Sequence, residues 1–233
     1  MTDADAIDLL IEASGAQARH RSLDVACGPG MVALNFAKVV QHAVGLDTTP
    51  AMLNRAKVLQ ERQSCENIEW VLGEATDLPF PDASFDIITC RFAFHHMLYP
   101  EIALREMIRV APPGGTIVIC DGVASPEANK ADAFNGFERM RDPSTVRFLT
   151  ADELRSLLSD AGLKTVSERS YRVGAELEGL LRTSFPRPED VPTLREMMIA
   201  SVAEDSLGLA TRADGERILF SYPALILAAR LDT

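Results

Sequence analysis

Two glycines, Gly28 and Gly30, close an apolar run near the start of the chain and precede a helical pattern. Glycine has no side chain, so a ligand can lie close to the backbone at such a turn, and the helix can begin tight against the preceding strand. The next apolar run ends in Asp47, which stands 23 positions after Asp24. Nucleotide-binding α/β proteins place at about this separation the carboxylate that binds the ribose hydroxyls. The spacing therefore predicts a site for a ligand that contains a nucleoside.

Two adjacent histidines, His95 and His96, follow another apolar run and are candidates for proton transfer. Imidazole is the side chain whose ordinary pKa suits a general base near neutral pH. Neighbouring residues of an extended segment point in opposite directions, so at most one of the two is expected to face a substrate. The alternative is that one or both histidines pack within the loop. Arg91 is a candidate for orienting an anionic group, with a salt-bridged residue at the rim as the alternative.

The elements that must position these residues alternate along the chain between apolar runs and helical patterns. Helices between strands produce right-handed crossovers, and hence a mostly parallel sheet that is covered on both faces. The predicted fold class is therefore α/β: a doubly wound, Rossmann-like sheet of seven strands with helices on both faces and a small helical cap insertion. The strands are predicted over residues 22–26, 43–47, 68–72, 85–90, 116–121, 164–173 and 218–231.

The helical patterns carry their own start and stop signals. Thr48 or Thr49 is predicted to cap a helix with Pro50 in its first turn, and Thr150 opens a capping box. Pro223 is predicted to mark the start of the last strand, as an edge or a bulge. Helices are predicted over residues 3–14 and 31–42, from Pro50 and Pro100 onward, around 133–140, from Thr150 to Gly162, and over 177–185 and 190–202.

The composition narrows the class of protein. The net charge is −11 and the isoelectric point is near 4.8, which argues against nucleic acid as a partner because such binding depends on Lys and Arg. No apolar run approaches the ~18 residues of a membrane span, and the N-terminus carries acids where a secretory signal carries basic residues. The four cysteines show no CxxC spacing, as expected for reduced thiols rather than disulfides or a metal site. A cytoplasmic protein without membrane insertion is expected.

The glycine turn and Asp47 alone do not exclude a dinucleotide as the ligand. The dinucleotide fingerprint has a third glycine three positions after the second, and Ala33 occupies that position here, a permitted variant. A carboxylate at Asp47 would repel a 2′-phosphate. Only a longer pattern can choose between these nucleotide ligands.

Several ordered motifs between Ser22 and Gly162 make that choice. LDVACGPG contains the glycine turn, GLDTTPAML contains Asp47, and GEATDLPFPDASFDIITC and APPGG follow in order. On these motifs the chain resembles the class I S-adenosylmethionine-dependent methyltransferases. FAFHHM and RDPSTVR make it more closely similar to the type-eleven small-molecule methyltransferases related to the quinone C-methyltransferases. The resemblance is specific for the cofactor and the fold, but not for the substrate.

The resemblance implies S-adenosyl-L-methionine as the cofactor. Asp24 is expected to help place its amino group, Asp47 to hold its ribose hydroxyls and Met52 to pack on its adenine. Glu74 stands where the family usually has aspartate, beside the adenine amino group. The residues expected at the cofactor are Asp24, Ala26, Cys27, Gly28, Gly30, Asp47, Thr48, Met52, Gly73, Glu74, Ala75 and Arg91.

The expected function is transfer of a methyl group to carbon or oxygen of a small aromatic, quinonoid or polyketide-like acceptor. His95, His96 and Arg91 are the expected catalytic residues, and the acceptor is the expected partner. The oligomeric state stays open, with a homodimer among the options. Two alternatives remain: a cyclase-like catalyst that binds the same cofactor without methyl transfer, and a vestigial binding module, against which the intact glycines and Asp47 count.

One methyltransferase domain is expected over residues 1–233. Within it, residues 1–173 are expected to form the cofactor-binding core and residues 174–212 a helical cap insertion over the active site. Residues 213–233 are expected to return to the sheet as the last strand. The cap is the part expected to choose the acceptor.

Overall fold

A computed structural model describes residues 3–231 as a central sheet with helices on both faces. The predicted domain limits at residues 1–2 and 232–233 lie outside the described residues. All seven predicted strands are present, and a short additional strand brings the sheet within residues 3–231 to eight. The strands are β1 (Arg21–Val25), β2 (His42–Asp47), β3 (Ile68–Leu72), β4 (Ile87–Arg91), β5 (Thr116–Gly122), β6 (Leu163–Glu176), β7 (Arg212–Asp214) and β8 (Arg217–Leu231).

Eight helices accompany these strands within the described part of the chain. The longest have 14 residues each, and between residues 3 and 231 none combines the length and apolar character needed to cross a membrane. The helices are α1 (Asp3–Ser14), α2 (Met31–Phe36), α3 (Pro50–Gln63), α4 (Pro100–Arg109), α5 (Ala128–Arg141), α6 (Ala151–Asp160), α7 (Leu177–Thr183) and α8 (Val191–Glu204).

The strand order places a switch point between β1 and β4. Neighbouring strands follow the order β3-β2-β1-β4-β5-β8-β6, and β7 pairs with β8. Strands β1 to β5 pair in parallel, whereas β8 is antiparallel to both β5 and β6. From β1, the chain first adds β2 and β3 on one side of the sheet, and then adds β4 and β5 on the other side. Open α/β sheets bind ligands at such a switch point, beyond the carboxyl ends of the strands, which here are those of β1 and β4.

Side chains of the central strands alternate between two cores. In β5, Ile117 and Ile119 belong to the core beneath α4 and α6, whereas Val118 and Cys120 belong to the core beneath α1 and α2. This alternation follows from the two-residue period of a strand. Both faces of the sheet are covered, which confirms the predicted doubly wound α/β class.

A third core joins the helices that follow β5 and β6. Phe134 and Phe137 of α5 belong to it together with Leu181 of α7 and Met198 of α8. The segment predicted as a cap insertion therefore shares its core with α5, which the sequence division assigned to the cofactor-binding part. That division stays a prediction.

The helix predicted over residues 31–42 is wrong in its second half. α2 ends at Phe36, and the chain then makes turns before His42 begins β2. Ala37 and Val40 are nevertheless buried in the core beneath α2. The apolar periodicity therefore continues after the helix has ended, because turn residues also pack on the sheet.

Pro223 lies inside β8 rather than at its start. It pairs with Arg172 of β6, and its carbonyl accepts a hydrogen bond from the N–H of Val123. The pairing of β8 with β5 begins one residue later, at Ala224. The N–H that proline lacks thus falls where the ladder to β5 ends.

Gly45 of β2 packs against the indole of Trp70, and this contact predicts a packing cost. A Cβ at Gly45 would lie 2.6 Å from Trp70 Cε3 and 2.9 Å from Cys27 Sγ. We expect Gly45→Ala to lower the free energy of unfolding by about 1–3 kcal/mol, the usual cost of overpacking a core. Urea denaturation followed by circular dichroism measures it. Gly174→Ala in β6 is the control, because a Cβ there would meet no heavy atom within 4 Å; equal losses in both variants would contradict the prediction.

Candidate functional site

Asp47 links the loops that follow β1, β2 and β3, through its carboxylate and its backbone carbonyl. Its Oδ2 accepts a hydrogen bond from the N–H of Gly28 at 2.8 Å, and its Oδ1 accepts one from the N–H of Thr49 at 2.8 Å. Thr49 is the N-cap residue of α3, but its side chain makes no capping bond. The N–H of Gly73 donates to the backbone carbonyl of Asp47. Three loops therefore meet at one buried acid on the carboxyl edge of the sheet.

The two glycines of the turn are required for different physical reasons. Gly28 and Gly30 both have left-handed backbone, with φ of 53° and 84°, which glycine adopts without strain. A Cβ at Gly30 would lie 2.8 Å from Trp70 Cζ3, so packing beneath the loop excludes a side chain. A Cβ at Gly28 would have no heavy atom within 4 Å. It would project into open space beside the loop, where a ligand can lie against bare backbone.

Asp24 is a buried carboxyl group near the end of β1, with 3% of its surface exposed. The hydroxyl of Thr89 on β4 donates a hydrogen bond to its Oδ1 at 2.7 Å. Burial raises the pKa of Asp24 to about 7, against the hydrogen bond from Thr89 and the charge of Arg91, which lower it. The site thus contains an acid that an added cation would keep ionised.

Arg91 ends β4 on the same face of the sheet as Asp24. Asp24 pairs with Thr89 in the parallel register, and Arg91 follows Thr89 by two residues, so these side chains share a face. The guanidinium of Arg91 lies 4.6 Å from the centre of the Phe92 ring. An acid and a guanidinium on neighbouring strands are complementary to the ammonium and carboxylate groups of an α-amino acid.

His95 lies in a 3-10 turn formed by Phe94–His96, so the predicted extended segment is wrong. Its imidazole is buried, and Nδ1 lies 2.7 Å from Oδ1 of Asp121 on β5. The backbone N–H of His95 donates to Oδ2 of Asp121 at 2.9 Å. A carboxylate only accepts hydrogen bonds, so Nδ1 carries the proton in this contact, and in the neutral imidazole the lone pair belongs to Nε2. The ring of Phe148 stacks on the imidazole with 4.1 Å between centroids.

His96 has different surroundings from those of His95. Its side chain is exposed on one side, and its Nδ1 lies 3.0 Å from the carbonyl oxygen of Ser144. Partial burial and the charge of His95 lower the pKa of His96. The imidazole of His96 is therefore tied to the loop after α5, whereas that of His95 is tied to β5.

The remaining residues predicted at the cofactor lie around the same edge. Met52 is half-buried in the first turn of α3, and Ala75 is half-buried against the core beneath α4. Glu74 and Thr48 are exposed in the loops after β3 and β2. Cys27 is buried with its thiol towards β2, and burial raises the pKa of that thiol, so the residue offers the loop its backbone rather than a reactive sulfur.

The sequence did not predict two side chains of this edge, Asp121 and Thr89. Both residues belong to predicted strands, in which the apolar neighbours dominate the pattern. The available signal for Asp121 was an acid at the end of a predicted strand. Because carboxyl ends of parallel strands share one edge, such an acid falls beside the histidines that follow the neighbouring strand.

Comparisons with known proteins relate the chain to methyltransferases. The family described as methyltransferase domain matches residues 23–119. The uncharacterized methyltransferase YcgJ of Bacillus subtilis is 32% identical over 228 residues, which cover 97% of this chain and 90% of that protein. The crystal structure of YcgJ superposes with a TM-score of 0.90 at 26% identity and covers 99% of both chains.

Two further proteins share part of this similarity. The ubiquinone/menaquinone biosynthesis C-methyltransferase UbiE of Pseudomonas putida is 32% identical over 193 residues, which cover 81% of this chain and 67% of that protein. The cyclase SpnF superposes with a TM-score of 0.72 at 20% identity over 98% of this chain and 81% of that chain. The likeness to SpnF shows the fold alone.

The raised pKa of Asp24 predicts a pH dependence of stability in the ligand-free protein. Its pKa is about 7 in the folded state against 3.8 in a free carboxyl group, so the folded state holds the proton more tightly than the unfolded state. Such a group stabilises the fold while protonated, and this contribution is lost as the pH rises from about 4 to about 7. We expect the free energy of unfolding of Asp24→Asn, which cannot ionise, to lack this loss.

Chemical denaturation of the wild type and Asp24→Asn at several pH values measures the difference. Asp8→Asn, which removes an exposed carboxyl group of α1, is the matched control and should keep the wild-type dependence. The same pH dependence in the wild type and Asp24→Asn would show that burial does not hold the proton on Asp24.

Proposed function

Because the chain belongs to the S-adenosylmethionine-dependent methyltransferases, we propose that it binds S-adenosyl-L-methionine at the carboxyl ends of β1, β2 and β4. The proposed reaction moves the methyl group to carbon or oxygen of a small aromatic or quinonoid acceptor. The observation that carries the proposal is the pair formed by Asp24 and Arg91 beside the open turn at Gly28. Its charges match the ammonium and carboxylate of the methionine part.

The residues present fit this cofactor. Asp24 is a buried acid that the ammonium group would keep ionised. Asp47 accepts one backbone N–H on each carboxylate oxygen, which leaves lone pairs for the two ribose hydroxyls. The open space beside Gly28 would hold the atoms between these ends. Met52 and Glu74 would contact the adenine from the loops after β2 and β3.

The proposed chemistry needs alignment and one proton acceptor. When bound, S-adenosylmethionine supplies a methyl carbon on a positively charged sulfur, open to attack by a nucleophile. An acceptor hydroxyl or acidic carbon must lose a proton, and Nε2 of His95 would take it. Asp121 would keep the proton on Nδ1 and stabilise the imidazolium that forms. Arg91, expected in both catalysis and cofactor binding, is assigned to the cofactor carboxylate.

The aromatic side chains behind His95 favour a flat, apolar acceptor. Phe148 stacks on His95, and the centre of the Phe134 ring lies 5.0 Å from that of Phe148. Both phenylalanines belong to the core shared by α5, α7 and α8. We therefore propose these helices as the cap that selects the acceptor. The similarity to UbiE, which is named for ubiquinone and menaquinone biosynthesis, supports a quinonoid ring.

Calorimetry with S-adenosylhomocysteine, the demethylated cofactor, tests the binding site. We expect Asp47→Ala to weaken its affinity by about tenfold or more, because the ribose hydroxyls lose an acceptor and the loops lose their link. Glu61→Ala, an exposed position of α3, should bind as the wild type does. Absence of binding to the wild type, or tighter binding of NAD, would overturn the proposed cofactor.

Methyl transfer is tested with labelled S-adenosylmethionine and a panel of demethylmenaquinol and simple phenols. We expect His95→Ala to lower kcat by about 10²–10⁴-fold, the usual contribution of a general base. Asp121→Asn should lower kcat as well, because an amide no longer stabilises the imidazolium. His96→Ala should lose less than about tenfold, since its imidazole is tied to Ser144.

One binding control and two contradicting outcomes make this test specific. The affinity for S-adenosylhomocysteine should stay within about twofold in all three variants, since none of the replaced side chains is assigned to the cofactor. Equal losses of kcat in His95→Ala and His96→Ala would remove the assigned base. A product whose mass does not rise by one methyl group would favour the cyclase-like alternative.

A further inference from the structure

Tyr171 is a buried polar side chain for which the proposed reaction has no role. It lies on β6, at the edge of the sheet, with 7% of its surface exposed. Its hydroxyl oxygen lies 3.2 Å from Sγ of Cys120 on β5, two strands away. A tyrosine oxygen and a thiol in an apolar core are costly to bury unless they serve each other or a third group.

Strand β8 lies between Tyr171 on β6 and Cys120 on β5, and one of its small side chains lets the tyrosine ring cross it. Tyr171 pairs with Ala224 of β8, and β8 pairs with β5. Both Tyr171 and Ala224 belong to the core beneath α1 and α2, so the tyrosine ring crosses β8 over the short side chain of Ala224. The hydroxyl therefore arrives beside β5, close to the carboxyl edge of the sheet.

The third group is the guanidinium of Arg91. Arg91 pairs with Cys120 in the parallel register of β4 and β5, so their side chains share a face. Burial raises the pKa of the Tyr171 hydroxyl, and the charge and hydrogen bond of Arg91 oppose this rise. Either atom of the pair formed by Tyr171 and Cys120 can be the donor. An arginine only donates hydrogen bonds, so a tyrosine oxygen that accepts from Arg91 would give its own proton to the sulfur of Cys120.

We propose that Tyr171, supported by Cys120, is a positioning residue that holds Arg91 in place for the carboxylate of the methionine part of the cofactor. The inference rests on the proposed function and deepens it. Arg91 has the ring of Phe92 on one side, and the tyrosine oxygen supplies a fixed acceptor for one of its N–H groups. A guanidinium held before the ligand arrives loses less rotamer freedom on binding, which raises affinity.

This role distinguishes ligands that carry the carboxylate from those that do not. S-Adenosylhomocysteine has the amino-acid part, whereas 5′-methylthioadenosine has the same nucleoside and sulfur without it. Tyr171→Phe keeps the ring and removes only the oxygen. We expect this variant to bind S-adenosylhomocysteine about three- to tenfold more weakly, as for the loss of one hydrogen bond. Its affinity for 5′-methylthioadenosine should stay within about twofold.

Tyr222→Phe is the matched control. Tyr222 is a tyrosine of the neighbouring strand β8 and also loses one hydrogen bond in the variant, because its hydroxyl donates to Glu138 at 2.8 Å. Its partner belongs to α5 rather than to the cofactor edge. Calorimetric titration of both ligands into the wild type and both variants should leave the ratio of the two affinities unchanged in Tyr222→Phe.

The outcomes separate the inference from the proposed function. Failure of the wild type to bind S-adenosylhomocysteine would overturn the proposed function. Wild-type binding with an unchanged ratio in Tyr171→Phe, whether both affinities stay or both fall, would overturn the inference alone. If Tyr171→Phe does not fold, Cys120→Ala takes its place, since it removes the acceptor of the tyrosine proton and should change the ratio in the same direction.

Discussion

The return of the chain to β4 beside β1 is the constraint on which the candidate site depends. Parallel strands bring all their carboxyl ends to one edge, and the reversal of strand order opens that edge between β1 and β4. Asp24, Asp47, Arg91 and Asp121 come from four different strands, and each lies at or near the carboxyl end of its own. Residues far apart in the chain thus come to one edge of the sheet, where the three acids are buried.

The site contains a buried ionisable group and strained backbone. Burial raises the pKa of Asp24 to about 7, although the hydroxyl of Thr89 donates a hydrogen bond to its carboxylate. Ala26 and Phe92, which follow β1 and β4, adopt left-handed backbone with φ of 56° and 52°, a conformation that is strained for residues with side chains. The indole of Trp70 packs against Gly30 in the loop after β1 and against Gly45 of β2. Such a site gains stability when a ligand of opposite charge arrives.

Cofactor binding and choice of acceptor fall in different parts of the molecule under the proposed function. The residues assigned to the cofactor are held by β1 to β4 and the loops after them, whereas α5, α7 and α8 share a separate core. Phe148 contacts both parts, because it belongs to that core and stacks on His95. Substitutions in the third core can therefore alter the acceptor side of His95 while the cofactor edge stays intact.

The sequence by itself determined the alternation of strands and helices, the fold class, and the positions of the glycine turn and Asp47. These features depend on neighbours within a few residues: side-chain periodicity, glycine backbone and capping patterns act locally. The error in α2 has the same origin, since apolar turn residues repeat the periodicity of a helix without its hydrogen bonds.

Only the tertiary structure decided which histidine meets Asp121 and that the hydroxyl of Tyr171 meets Cys120. His95 and Asp121 are 26 residues apart, and Tyr171 and Cys120 are 51 apart. Whether such pairs meet depends on strand order, register and the 3-10 turn after β4, and each of these is set by the packing of the whole sheet rather than by any short stretch of sequence.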